Sequence, residues 1–356
     1  MNFHQQVFLL SIFSNVIRAE VNTAKNLEFI ARMAVNMAVS IVGWEIVWGP
    51  VVWKNDPNNI SGPDHVWFVA KKLTHTNEHI YVISVAGSAT IYNTVVNNAG
   101  IIPLVDFTTW AAGAPPVPSF PSLGLGTCVA LGTAMGVHTL ESYPAPAGAE
   151  GAGQTLPAFL KNAPRGSGSQ FIFTGFSLGG TLSPTLALRL VQPDANVFTD
   201  ADKILTYPIA GASPGNVQFA NAFAGKFPKS EGSGYQVWNT NIANLLDVAT
   251  NAWSTGDDQS LYLDRIRRIY GNEPITGIEQ KVDLAKITAN KSGIVYIPLQ
   301  STLFSGPTLP IPTTEEQFLG NVVVQHSTAY ENYFGIMLPK VKGVAEDIFP
   351  NVTGII

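Results

Sequence analysis

Between residues 170 and 191 a short apolar strand-like run, Gln170 to Thr174, passes through Gly175-Phe176-Ser177-Leu178-Gly179-Gly180 into an apolar helix-like run, Leu178 to Val191. So abrupt a handover needs glycine on both sides of the bend, where the strand and helix backbones come close, and it leaves Ser177 on a strained turn at the sheet's C-terminal edge. A chain organised around such a unit is layered, with helices packed on a largely parallel sheet.

The flanking sequence agrees. Asn26 to Val42 carries apolar residues at three- and four-residue spacing and reads as a helix. Ile46 to Lys54, Val66 to Leu73 and Ile80 to Ala86 read as strands, the last almost wholly apolar, as a strand covered on both faces is. Gln154 to Lys161 and Gln218 to Phe223 read as helices, Lys203 to Ile209, Gly234 to Asn239 and Val322 to Val324 as strands, and Ser327 to Met337 as a final helix. Alternation of this kind predicts an α/β fold: a mostly parallel central sheet covered by helices on both faces. Residues 26–350 are expected to form one domain, preceded by a weakly ordered segment 1–25. A Pro/Gly-rich, nearly uncharged insertion near residues 106–126, with Phe107, Trp110 and Phe120, reads equally as a lid or substrate-binding surface and as a structural loop.

Composition excludes several classes. Charged residues make up 13% of the 356 and hydrophobic ones 46%, which rules out disorder for most of the chain. The net charge is -5 and no Lys/Arg run is present, so nucleic acid is not an expected partner. The one cysteine, Cys128, cannot form an intrachain disulfide. Met33 to Trp53 is the most membrane-like window, but Asn36, Ser40, Glu45 and Pro50 interrupt it, and no transmembrane helix is expected. Val7 to Phe13 is apolar without a basic stretch before it, a poor signal peptide, so the compartment stays open and secretion remains an option.

Ser177 is the candidate nucleophile. A second G-x-S-x-G, Gly211-Ala212-Ser213-Pro214-Gly215, also follows an apolar strand. The mechanism uses the backbone N–H of the residue after the serine, and Pro214 has none. Leu178 does. Pro184, inside the following helix, costs about 3 kcal/mol or kinks it. In this arrangement the acid and the histidine follow the serine in the chain, and of six histidines only His326 lies beyond Ser177. Among the acids, Asp194 ends the helix and sits about 25 Å away at the wrong sheet edge, and Asp200 and Asp202 face that same edge. Asp247, in the apolar loop Ala243 to Val248, is the favoured partner of His326, with Asp257 or Asp258 as alternatives. Gly87-Ser88, ending the strand Ile80 to Ala86, offers Ser88 as a further oxyanion donor, although an ordinary strand-ending turn reads the same way. Phe107, Trp110 and Phe176 are the substrate-binding candidates. His75-Thr76-Asn77-Glu78-His79 spells a zinc motif, but it lies between two strands where the imidazoles need not converge, and no metal is expected. No glycine-rich dinucleotide or phosphate loop opens a helix, and no cofactor is expected.

These residues resemble the class 3, or fungal-type, lipases of the α/β-hydrolase fold. The resemblance lies in Gly175 to Gly180 with Leu182 to Leu188, in Tyr207 to Ala220, in Asn244 to Trp253 around Asp247, and in His326 with Tyr330, and it covers roughly Asn26 to Leu338. It implies a serine carboxylic-ester hydrolase acting on lipid esters through an acyl-enzyme on Ser177, with Ser88 and Leu178 as oxyanion residues. Phe176 replaces the histidine common before the nucleophile and Ala86 the arginine common before the oxyanion glycine, and both changes remove polar support near the site without touching a catalytic role. Phospholipid, galactolipid or soluble esters are alternative substrates, and an inactive hydrolase-like binding protein is the reading from another class.

Overall fold

The computed structural model describes residues 1–74, 76–90, 97, 100–119, 126–166 and 168–336. Its strands are β1 (Glu45–Trp53), β2 (His65–Leu73), β3 (His79–Val85), β4 (Leu104–Asp106), β5 (Cys128–Ala130), β6 (Ser169–Phe176), β7 (Asp202–Ile209), β8 (Gly215–Asn216), β9 (Asn241–Asn244), β10 (Tyr296–Ile297) and β11 (Ser301–Phe304). Its α-helices are α1 (Phe3–Phe13), α2 (Ala24–Ile41), α3 (Phe107–Ala111), α4 (Leu131–Ser142), α5 (Leu156–Asn162), α6 (Leu178–Leu190), α7 (Val217–Lys226), α8 (Val248–Asn251), α9 (Thr276–Asn290), α10 (Glu315–His326) and α11 (Thr328–Phe334).

Among the described residues, seven strands form the main sheet in the order β1-β2-β3-β6-β7-β9-β11. β1, β2 and β3 are antiparallel neighbours, and from β3 onward every pairing is parallel. The strand pattern explains why both faces are covered. Tyr81, Ile83 and Val85 of β3 and Phe171 and Phe173 of β6 face one core with Leu182 and Leu186 of α6 and Ala134 and Val137 of α4. Ile80, Val82, Ile172 and Tyr207 face the other core with Phe8 of α1, Val35 and Val39 of α2, and Phe334 of α11. Alternate residues of one strand thus enter opposite cores, so the strand reads as continuously apolar. β4, β5, β8 and β10 make a small second sheet.

Several expectations change here. Segment 1–25 is not loose at its start: Asn2 and Gln5 cap α1 reciprocally, and Val7, Phe8, Leu9, Leu10 and Ile12 are buried in the second core. The folded unit therefore includes the residues expected to precede it. The strand expected at Gly234–Asn239 falls instead at Asn241–Asn244, and Val322–Val324 lies within helix α10. α6 runs unbroken through Pro184, and every residue of it but Arg189 is buried, so packing on both flanks outweighs the proline's cost. Phe107 borders an open surface cavity beside Ala111 and Leu188, but neither Phe107 nor Trp110 presents its ring to solvent. They lie on α3, 4% and 1% exposed, with Phe107 edge-on to Phe219 and Trp110 beneath Arg189. Phe120 lies outside the described residues. Among the described residues, no helix is long and apolar enough to cross a membrane.

Candidate active site

Strand register places the first two parts of the site. In the parallel β3–β6 pair Val85 stands opposite Gly175, so the chain beyond β3 (Gly87, Ser88) and beyond β6 (Ser177, Leu178) emerges at the same edge. Contact there is close enough to demand glycine. A Cβ on Gly179 would sit 2.1 Å from the Val85 carbonyl oxygen, and one on Gly175 would sit 2.4 Å from that of Gly179. Between them Ser177 adopts φ 59° and ψ -120°, a conformation that costs a non-glycine residue about 1–3 kcal/mol. Its N–H donates to the Ile209 carbonyl at 3.0 Å, and its own carbonyl accepts from Thr181 N–H at 3.2 Å, so the bend is held from both sides. Ser177, Leu178 and Ser88 are 3%, 4% and 4% exposed.

The acid and the imidazole come from the same edge further along the sheet. Asp247 lies three residues beyond β9, caps α8 through an Oδ1 bond from Ala249 N–H (2.9 Å), and is fully buried. Its Oδ2 accepts from His326 Nδ1 at 2.8 Å and from the Tyr330 hydroxyl at 2.8 Å. Asp257 and Asp258, the alternatives, are exposed. An ionised carboxylate only accepts, so Nδ1 carries the hydrogen and Nε2 is the basic nitrogen. That Nε2 is buried and has no hydrogen-bond partner among the described residues. Burial, with the Asp247 charge beside it, pushes the Tyr330 phenol well above its ordinary value, so it stays protonated and donates.

His326 is the last residue of α10, not a loop residue after a strand. Its position is set by the residue before it. Gln325 is buried, its carbonyl and Oε1 both accept from Asn244 Nδ2 (2.9 and 2.8 Å), and its Nε2 donates to the Pro307 carbonyl at 2.7 Å. Asn244 ends β9, so this clasp ties the end of α10 to the strand that leads to Asp247. Phe176 is not a substrate surface. It is fully buried, its ring edge-on to His326 at 5.0 Å and to Tyr330 at 5.1 Å between centroids. The residue before Ser177 thus backs the imidazole directly.

Sequence reasoning missed Asn244 and Gln325, whose partners are 81 positions apart and leave no local signal. It also missed Asn15 and Arg18: Gly87 N–H donates to Asn15 Oδ1 at 2.9 Å, and Arg18 Nε donates to the Ser88 carbonyl at 3.0 Å. Ser213, the decoy, lies in a buried turn whose Pro214 carbonyl accepts from Ala130 N–H. In the zinc-like motif, Asn77 has φ 60° and Thr74 N–H donates to the Glu78 carbonyl, a hairpin turn between β2 and β3. His75 lies outside the described residues. Among the described residues, no three His, Cys, Asp or Glu side chains come together as a metal site would require.

No family model matches the chain. No curated protein matches it in sequence. Among solved structures it is similar to M37 lipase, at TM-score 0.75 and 24% identity over 99% of this chain and 97% of that one. It is also similar to the triacylglyceride lipase of Rhizomucor miehei, at TM-score 0.37 and 16% identity over 69% of this chain and 73% of that one. The near-complete overlay with the first, together with the parallel sheet and its two helical layers, identifies the architecture as the α/β-hydrolase fold.

Proposed function

We propose that the protein is a serine carboxylic-ester hydrolase acting on lipid esters, with Ser177 as nucleophile, His326 as general base and Asp247 orienting the imidazole. The observation that carries this reading is the buried Asp247–His326 bond, which leaves Nε2 basic and, among the described residues, without a hydrogen-bond partner, while Phe176 joins that imidazole to the strained Ser177 turn.

In the proposed reaction, Nε2 takes the Ser177 proton as Oγ attacks the ester carbonyl carbon. The charge that develops on the carbonyl oxygen is met by the Leu178 N–H and by Ser88, each contributing about 3 kcal/mol if it behaves as oxyanion donors do elsewhere. Collapse expels the alkoxide, which leaves with the proton from the imidazolium. Water, deprotonated by the same nitrogen, then releases the acyl group and frees Ser177.

For substrate class, the support is the likeness to M37 lipase and to the fungal-type motifs, with a chain of which only 13% is charged. The test compares wild type and Ser177→Ala on p-nitrophenyl esters, then on triacylglycerol emulsions, phospholipid and galactolipid. Turnover that Ser177→Ala abolishes, with emulsified triacylglycerol as the best lipid substrate, is expected. A wild type without esterase activity would overturn the reading in favour of a hydrolase-like binding protein, and a fully active Ser177→Ala would overturn the assignment of Ser177 as nucleophile.

A further inference from the structure

We propose that Asn15 and Arg18, in the turn after α1, are positioning residues that aim the Ser88 oxyanion donors; this rests on the hydrolase reading above.

The two side chains grip the loop on either side of Ser88. Asn15 is 2% exposed, and its Oδ1 accepts from Gly87 N–H at 2.9 Å. Its Nδ2 points at the carbonyls of Ser11 (3.2 Å) and Ile12 (3.4 Å), so turning the amide over would lose all of these bonds. Arg18 Nε donates to the Ser88 carbonyl at 3.0 Å. One bond therefore holds the peptide entering Gly87 and the other the peptide leaving Ser88, so the Ser88 N–H and hydroxyl start from a fixed frame. The base of that frame is tied to α1 as well, because Ser84 Oγ on β3 donates to the Leu10 carbonyl at 2.8 Å.

What stands behind the loop matters equally. A cavity of about 10 Å³ is lined by Asn15, Arg18, Asp64, Ala86 and Gly87, room for about one water. Directional polar bonds thus hold the loop where close packing does not fill the space. Oxyanion stabilisation depends on donors already aimed before charge develops, so loosening this grip is expected to act on the chemical step and to leave substrate binding nearly unchanged.

The experiment uses the full chain as Asn15→Leu, Arg18→Met and Arg18→Lys, beside Ser88→Ala and Ser177→Ala, on p-nitrophenyl butyrate. Active sites are counted by fluorophosphonate labelling, so that unfolded protein does not enter kcat. Arg18 is partly exposed, so its variants stay informative where Asn15→Leu fails to fold. Asn15→Leu and Arg18→Met are expected to lower kcat per labelled site about 10- to 100-fold, below the 10²–10³ of a donor lost outright. KM should stay within about twofold, and Arg18→Lys should recover most of the loss. Unchanged kcat in Arg18→Met, or a loss confined to thermal stability or KM, overturns the inference while Ser177→Ala and Ser88→Ala remain impaired. Full activity in Ser177→Ala overturns the hydrolase reading, and the inference with it.

Discussion

The Tyr330 hydroxyl donates to Asp247 Oδ2 at 2.8 Å from the first turn of a helix that begins two residues after His326. It also accepts the Asn244 N–H at 3.1 Å, so one phenol links the acid to the strand that delivers it. Removing that hydroxyl leaves a buried carboxylate short of a donor and a buried N–H short of an acceptor. Tyr330→Phe is expected to cost about 1–3 kcal/mol of stability and to lower kcat less than tenfold, because His326 keeps its own bond to Asp247. Chemical denaturation and p-nitrophenyl ester kinetics on one preparation test both parts.

Replacing the acid itself should be far more severe. Asp247→Asn removes the acceptor that keeps the hydrogen on His326 Nδ1, so the amide can turn Nε2 into the protonated nitrogen. Kcat should fall about 10⁴-fold, the scale of the same change in a serine-protease triad. Asp257→Asn and Asp258→Asn, at exposed positions, should stay within about twofold of wild type. Equal losses in all three would sink the assignment of Asp247.

Phe176 offers a separate handle on the imidazole. Its ring fills the space between His326 and Tyr330, so Phe176→Ala opens a cavity against the base and should cost about 3–5 kcal/mol. Phe176→Leu keeps most of the volume and is expected to fold, with kcat reduced and KM little changed, since the ring touches the base and is buried away from solvent. A change in KM alone in steady-state kinetics would return Phe176 to the role of substrate surface.

Much of this was legible in the sequence, and the failures have physical causes. Ile80–Ala86 reads as a buried strand because both its faces meet apolar cores, and the Gly175–Gly180 turn shows its glycines because backbone approaches to 2.1–2.4 Å from a would-be Cβ tolerate nothing larger. β9 escaped because two of its four residues are asparagines, whose side chains clip Gly211 and Gln325 and thereby serve the fold through polar bonds. The Val322–Val324 run imitates a strand, although Thr314 and Gln317 supply the N-cap of a helix that runs straight through it. Phe107 and Trp110 read equally as lid or structural loop because their neighbours are Pro and Gly, and Asp106 caps a short helix on which both rings are buried. Asn15 and Arg18 carry no local pattern, because their partners lie 72 and 70 positions away.

Glycine 179 tests the close approach directly. Gly179→Ala drives a methyl group to 2.1 Å from the Val85 carbonyl and 2.9 Å from that of Ala86, both backbone atoms with no rotamer to yield. The substitution should destabilise the protein by more than about 3 kcal/mol, outside the range of ordinary point changes, and should displace the Ser88 loop. A thermal midpoint equal to that of wild type would contradict the packing of α6 against β3.

Glu141 predicts a pH dependence remote from the proposed chemistry. Its carboxylate is 10% exposed between α4 and α6, and burial raises its pKa to about 7 despite Arg189 at 3.9 Å, which pulls the other way. A carboxyl raised in the folded state binds more protons there than in the unfolded chain, so stability is highest below the unfolded pKa of 4.5 and falls as pH rises toward 7. Above that the loss levels off, at about 3 kcal/mol for a shift of this size. Glu141→Gln mimics the protonated form at every pH. The two proteins should therefore unfold alike near pH 4, with the variant pulling ahead up to pH 7 and holding a constant lead beyond. Urea unfolding at several pH values measures the difference, and a lead that is flat across the range, or that shrinks with rising pH, would show that folding does not raise the Glu141 pKa.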